Sequence, residues 1–232
     1  MSPNAGVSST ILRAMPIFGV LDDACLKPLT QVATLRQIPR HTIVLHAGDR
    51  TDNIYFVLSG ALKVQISDEV GREVILSMLG PGELFGEMGV LDDHPRSATV
   101  LAVESSQLVV IGKADFKRCL AENPDVSLFI MRNLTKRLRL ADRHIESLAL
   151  LDVYGRVARL LLEAAEIVNG RKVVTQKLTK QDIAKMIGAS REMVSRVMRD
   201  LTVQGLIQER DGQVVLVDLE VFKRHGDVDA TN

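Results

Sequence analysis

The rhythm of apolar and polar positions changes three times along the chain. From about residue 40 to 112 it is that of strands: "TIVLHAGD", "NIYFVLSGALKVQIS", "EVILSMLGPGELFG" and "SATVLAVESSQLVVIG" are rich in Val, Ile and Leu and often alternate with polar residues. Gly48, Gly60, Gly71, Gly80, Gly82 and Gly112 punctuate them, a spacing that predicts a β-barrel or sandwich. Ahead of this block, residues 20 to 36 read as a helix with Asp22 and Asp23 placed to cap it. From Pro124 the period lengthens. Met131, Leu134, Leu138, Ala141, Ile145 and Leu148 recur at steps of three and four, a heptad seam flanked by charged residues. Such a narrow seam predicts a two-stranded homodimer contact, against the alternative of one amphipathic helix packed on its own barrel.

From Asp152 a third unit begins. "VYGRVARLLLEAAEIV" predicts an amphipathic helix and "KVVTQ" a short strand, and "QERDGQVVLVD" predicts a hairpin with Asp211-Gly212 at its tip. Gly155 marks either a hinge or a close helix packing. Between these elements, "LTKQDIAKMIGASREMVSRVMRDL" has the grammar of a helix–turn–helix. Thr179 caps a helix with Ile183, Ala184 and Ile187 inward, and Gly188 makes the turn. Ser190 then caps a second helix with Val194, Val197, Met198 and Leu201 inward. That leaves Arg191, Glu192, Ser195, Arg196 and Arg199 outward, where a recognition helix meets base edges in the major groove. Arg is suited to guanine O6 and N7, and Glu to the cytosine N4 amine.

Charge sharpens this picture. Formal net charge over the 232 residues is zero, yet residues 171 to 199 hold eight basic side chains against Asp182 and Glu192 alone. A local basic patch of this kind is what nucleic-acid contact requires; the bland alternative is a solvated helical hairpin. With 46% apolar and 25% charged residues, the composition is that of a folded globular protein. No apolar run is long enough for a membrane helix, and residues 1 to 10 lack a signal pattern, so a cytoplasmic protein is expected. Cys25 and Cys119 are far apart in sequence, and the five histidines are scattered without ligand spacing, so no metal site is expected. Neither GxxxxGK[ST] nor GxSxG occurs, and no residue set supports an enzyme.

One loop remains. "GEMGVLDDHPRSATV", residues 86 to 100, sets a carboxylate, a guanidinium and a hydroxyl around a short turn. "GEMG" predicts a strand passing into a helical turn whose backbone N–H groups can hold an anion. The competing reading is a surface turn with incidental charges.

"SREMVSRVMRDL" after "LTKQDIAKMIG", "ALLDVYGRVARLLL" and the 86 to 100 loop together resemble the cyclic AMP receptor protein (CRP/FNR) family of bacterial transcription regulators, over about residues 15 to 225. The resemblance implies an α+β protein: an N-terminal cyclic-nucleotide-binding, jelly-roll-like β-roll over residues 15–123, a long dimerisation helix over 124–151, and a C-terminal winged helix–turn–helix over 152–232. It implies a homodimer on an inverted repeat of TGTGA-like half-sites, read by Arg191, Glu192 and Arg196, with RNA polymerase as a further partner. It also implies that the segment Gly86, Glu87, Met88, Arg96 and Ser97 binds a cyclic nucleotide, Arg96 and Ser97 at the phosphate and Glu87 at the ribose. Where cyclic-AMP receptors carry a Thr-Ser pair against the adenine, this chain has Ala141 and Asp142. Cyclic AMP is the first expected effector, with cyclic GMP and cyclic di-GMP as alternatives; a constitutive, unliganded DNA binder and a regulatory subunit acting on a protein partner are the others.

Overall fold

A computed structural model describes residues 7–210, 213–219 and 222. The chain forms two compact units, one ending at Lys136 and the other beginning at Arg137. In the first, helices α1 (Ser9–Arg13) and α2 (Asp23–Val32) precede eight strands: β1 (Thr34–Ile38), β2 (Ile43–Leu45), β3 (Asn53–Ser59), β4 (Leu62–Ser67), β5 (Glu73–Leu79), β6 (Leu84–Phe85), β7 (Thr99–Ala102) and β8 (Ser106–Gly112). A one-turn helix α3 (Met88–Leu91) interrupts them between β6 and β7, and α4 (Lys113–Glu122) and α5 (Pro124–Leu150) follow. The strands make two antiparallel sheets, ordered β1-β8-β3-β6 and β2-β7-β4-β5.

The sequence of β3 and β8 explains the layering. Side chains alternate across a strand, so Tyr55 and Val57 of β3, with Leu108 and Val110 of β8, face the second sheet and join Leu62, Leu79 and Val100. Their neighbours Ile54, Phe56, Val109 and Ile111 face the other way, onto a core shared with α1, α2, α4 and α5. Both faces are covered, which is why these strands read as continuous apolar runs. Phe56 is the pivot of the outer core, with Phe18 at 5.1 Å and Phe116 at 6.4 Å between ring centroids.

One helix boundary in this unit differs from the sequence reading. The helix expected over 20 to 36 stops at Val32, because residues from Thr34 onward pair with β8, Thr34 opposite Val110. Asp22 caps it as expected, accepting from the Cys25 amide at 2.8 Å. Ahead of residue 15, Val7 and Leu12 are buried in the same core as Met15.

The second unit holds the end of α5, then α6 (Val153–Ala164), the hairpin β9 (Ala165–Val168) and β10 (Arg171–Val174), α7 (Lys180–Ile187), α8 (Arg191–Val203), β11 (Ile207–Arg210) and β12 (Gln213–Leu216). Its sheet is ordered β11-β12-β10-β9. The helix expected to run through Val168 ends four residues early. Asn169-Gly170, both at positive φ, is the turn that pairs Ala165–Val168 with Arg171–Val174, and the β-branched Ile167 and Val168 suit a strand. The expected wing is present, with Arg210 opposite Gln213; its tip, Asp211-Gly212, lies outside the described residues.

Candidate ligand loop and nucleic-acid interface

In the loop of residues 86 to 97, the chain leaves β6 through Gly86 at φ +78°, and a Cβ there would stand 2.6 Å from Arg96 Nη1. Glycine is thus required twice over, by the backbone conformation and by the guanidinium lying against it. Glu87 follows at the N-cap position of α3, and the first amides of that turn have no acceptor within the helix.

Arg96 is only 6% exposed. Its Nη1 donates to the Gly86 carbonyl at 2.8 Å and its Nη2 to the Asn53 carbonyl at 2.6 Å, while Nε is buried with no hydrogen-bond partner. The guanidinium carbon lies 5.7 Å from the centroid of Tyr55, whose ring stacks on Phe85. Burial lowers the Arg96 pKa, and the nearby Tyr55, Asp52, Glu87 and Asp49 work against that shift. Both Nη atoms of the Arg96 fork, expected at a phosphate, are thus engaged by backbone carbonyls. Glu87 is buried at 1% exposure, whereas Ser97 is exposed, its hydroxyl 3.9 Å from the sulfur of a half-exposed Met88. Gly86, Glu87, Met88, Arg96 and Ser97 thus cluster in the first unit. Ala141 and Asp142 belong to the second unit and are exposed on α5. Sequence reasoning passed over Tyr55 and Asn53. Tyr55 carried only the signal of an aromatic in a strand, and Asn53 acts through its carbonyl, which side-chain identity does not reveal.

The helix–turn–helix is built locally as its residues suggest. Thr179 and Asp182 form a reciprocal capping box on α7, and Gly188 closes that helix at φ +63°. Ser190 caps α8, accepting from the Met193 amide at 3.2 Å. Val194, Val197, Met198 and Leu201 are buried with Ile183, Ala184 and Ile187 in one core. Arg191, Glu192, Arg196 and Arg199 are exposed and Ser195 is half-buried, all on the outer side of α8. The exposed Glu192 carboxyl sits below the usual carboxylate range. Its own backbone amide is the first cause and the Ser190 hydroxyl the second, with Arg191 adding a smaller effect.

Behind the turn, Arg156 of α6 donates to the Ile187 carbonyl at 2.8 Å, and Arg159, 8% exposed, donates to Glu146 of α5 at 2.8 Å. Gly155 is buried in the first turn of α6, its amide held by Asp152 at 2.8 Å. Along α5, Met131, Leu138, Ala141, Ile145 and Leu148 are exposed, Leu138 and Ile145 at 63% and 66%. Leu134 instead packs partly on the outer core of the first unit.

Comparison with known proteins agrees with this division. Residues 35–123 match the cyclic nucleotide-binding domain family and residues 155–224 the Crp-like helix-turn-helix domain. Over 218 residues the chain is 30% identical to the CRP-like cAMP-activated global transcriptional regulator of Mycobacterium tuberculosis, covering 92% of this chain and 97% of the relative. The chain belongs to the CRP/FNR family. It is a DNA-binding transcription regulator with a cyclic-nucleotide-binding domain. The cAMP-activated global transcriptional regulator CRP of Haemophilus influenzae is 33% identical over 186 residues, 78% of this chain and 83% of the relative. Among solved structures, FixK2 from Bradyrhizobium japonicum shares the fold with a TM-score of 0.76 at 22% identity, covering 85% of this chain and 98% of that one. The c-di-GMP responsive regulator CLP of Xanthomonas campestris superposes with a TM-score of 0.69 at 26% identity, covering 85% of this chain and 100% of that one. Among the described residues, no helix of this family member is long and apolar enough to cross a membrane.

Proposed function

We propose that the chain is a homodimeric, cytoplasmic regulator whose affinity for an inverted-repeat, TGTGA-like DNA site is set by a cyclic nucleotide held in its β-roll. The observation that carries this reading is Arg96. A guanidinium kept 6% exposed, with an unpartnered Nε and no carboxylate in salt-bridge range among the described residues, is costly as packing alone. A cyclic phosphate supplies a directly paired negative charge and an acceptor for Nε. Ser97 and the first amides of α3 add donors, Gly86 and Met88 shape the turn, and Glu87 accepts from a ribose hydroxyl. The exposed seam Met131, Leu138, Ala141, Ile145 and Leu148, with Leu134, supplies the contact with a second copy. Ser190, Arg191, Glu192, Ser195, Arg196 and Arg199 contact DNA, and RNA polymerase is the further partner.

Cyclic AMP is the first effector, in keeping with the relatives named as cAMP-activated. A second reading rests on Asp142. An ionised carboxylate is an acceptor only, which suits guanine N1–H and N2–H, and a structural neighbour is named as responsive to cyclic di-GMP. The deciding experiment is fluorescence anisotropy on a TGTGA inverted-repeat duplex with nucleotide-stripped protein, adding cyclic AMP, cyclic GMP or cyclic di-GMP in turn. The expected result is tightening by about tenfold or more with one nucleotide. Full affinity without any nucleotide makes the protein a constitutive binder, and no preference for the duplex over random DNA removes the DNA-reading assignment.

A further inference from the structure

The base-reading residues named so far are polar, yet the first turn of α8 also exposes an apolar side chain, Met193, at 44% of its surface. On a helix, residues three and four apart are neighbours, so Met193 stands between the exposed Arg196 and the buried Val197, on the flank away from Arg191 and Ser195. The core does not claim it: Val194, Val197, Met198 and Leu201 are the α8 residues buried there. Its backbone is pinned by the Ser190 cap, so the side chain leaves the helix from a fixed point beside Arg196.

A long, unbranched thioether at this place has one apolar partner in a major groove, the C5-methyl group of thymine. We propose that Met193 is a specificity-determining residue that packs on the methyl of the thymine next to the base pair read by Arg196. This inference rests on the proposed base-reading role of α8 and extends it from hydrogen bonds to an apolar contact. Methionine has three rotatable bonds and no preferred donor or acceptor, so the contact selects thymine through its methyl group and leaves the donor and acceptor pattern of the major groove to Arg191, Glu192 and Arg196.

The test replaces each thymine of the preferred half-site, found by selection from random duplexes with the full-length protein and its activating nucleotide, by deoxyuridine. Deoxyuridine changes nothing but the methyl group. For the unmodified protein, one position should cost about three- to fivefold in affinity, the worth of one buried methyl. In Met193→Ala that position should bind thymine and deoxyuridine alike, while Met193→Leu should retain part of the difference. Arg196→Ala should relax selection at the adjacent base pair and identify it. Unchanged affinity of Met193→Ala for random DNA shows that the helix is intact, because phosphate contacts do not depend on the side chain. Equal deoxyuridine penalties in the unmodified protein and Met193→Ala, or no penalty at any thymine, overturn the contact. A protein that selects no sequence at all overturns the base-reading role of α8, and the Met193 contact with it.

Discussion

Arg96 and Arg191 use the same side chain in opposite ways. Arg96 is withdrawn from water and held by carbonyls from Gly86 and Asn53, ten and 43 residues away in sequence. Arg191 begins α8 and is exposed to solvent. A guanidinium buried among backbone carbonyls is part of the fold as well as of any ligand site, so changing it disturbs both. A guanidinium on the outside of a capped helix is dispensable to the fold and available to a partner. The two regions therefore teach how to separate function from stability. Substitutions on α8 test recognition cleanly, whereas those in the ligand loop need a stability control beside every binding measurement.

The largest expected effect follows from this difference. Arg96→Ala leaves two inward carbonyls without their donor and removes the guanidinium from the Tyr55 face. Each unsatisfied buried group costs about 1–3 kcal/mol, so urea unfolding should show a loss of roughly 2–5 kcal/mol. Calorimetry with cyclic AMP on protein that remains folded at low temperature should show binding weakened by at least about 100-fold, the worth of a lost charge-assisted pair to phosphate. Arg96→Lys keeps the charge but not the fork, and should recover part of the stability and little of the affinity. An Arg96→Ala protein as stable as the parent breaks the comparison, because it makes the buried arginine as expendable as the exposed one.

A smaller and purely functional effect is expected at Arg191. Arg191→Ala should cost about 1–3 kcal/mol of discrimination between the preferred duplex and a single-base variant, measured by anisotropy. Its unfolding free energy should stay within about 0.5 kcal/mol of the parent's, since the residue is exposed and its helix is capped by Ser190. Nucleotide affinity should be unchanged. A large stability loss here would show that the outer face of α8 is held by the fold rather than offered to DNA.

The same contrast explains what could be read before the structure. The helix–turn–helix of α7 and α8 was legible because its information is local: a cap at Ser190, a glycine at 188, apolar residues at helical spacing and arginines between them. The helical spacing along α5 was legible for the same reason, and its apolar residues Met131, Leu138, Ala141, Ile145 and Leu148 are exposed as that spacing allows, whereas Leu134 packs partly on the outer core. In the ligand loop, residue types pointed to Glu87, Arg96 and Ser97. Their exposure and bonding did not follow, because the Asn53 carbonyl and the Tyr55 ring reach Arg96 through the pairing of sheets. The early end of the helix before β9 shows a different failure. An apolar helical period ran on into residues 165–168, and the Asn169-Gly170 turn, a local signal, outweighed it once β10 was there to pair.

The smallest expected effect carries the contrast between buried and accessible groups to the two thiols. Cys119 is buried on α4, and burial, with smaller contributions from Cys25 and Glu122, pushes its thiol up to about 11. Cys25, half-buried on α2, is raised chiefly by its hydrogen bond with Asp22. Because the folded Cys119 pKa lies above its ordinary value of 9.0, its contribution to stability is complete below pH 9 and is lost as pH rises toward 11. The thiolate is the reactive form, so iodoacetamide at pH 8 should label Cys25 of the native protein first. Cys119 should react only at the rate at which the outer core opens, and at the rate of Cys25 once urea has unfolded the chain. Peptide mapping by mass spectrometry separates the two sites. Equal native labelling would mean that the core around Phe116 and Cys119 opens as readily as the surface of α2, and the boundary between buried and offered chemistry would then lie elsewhere in this unit.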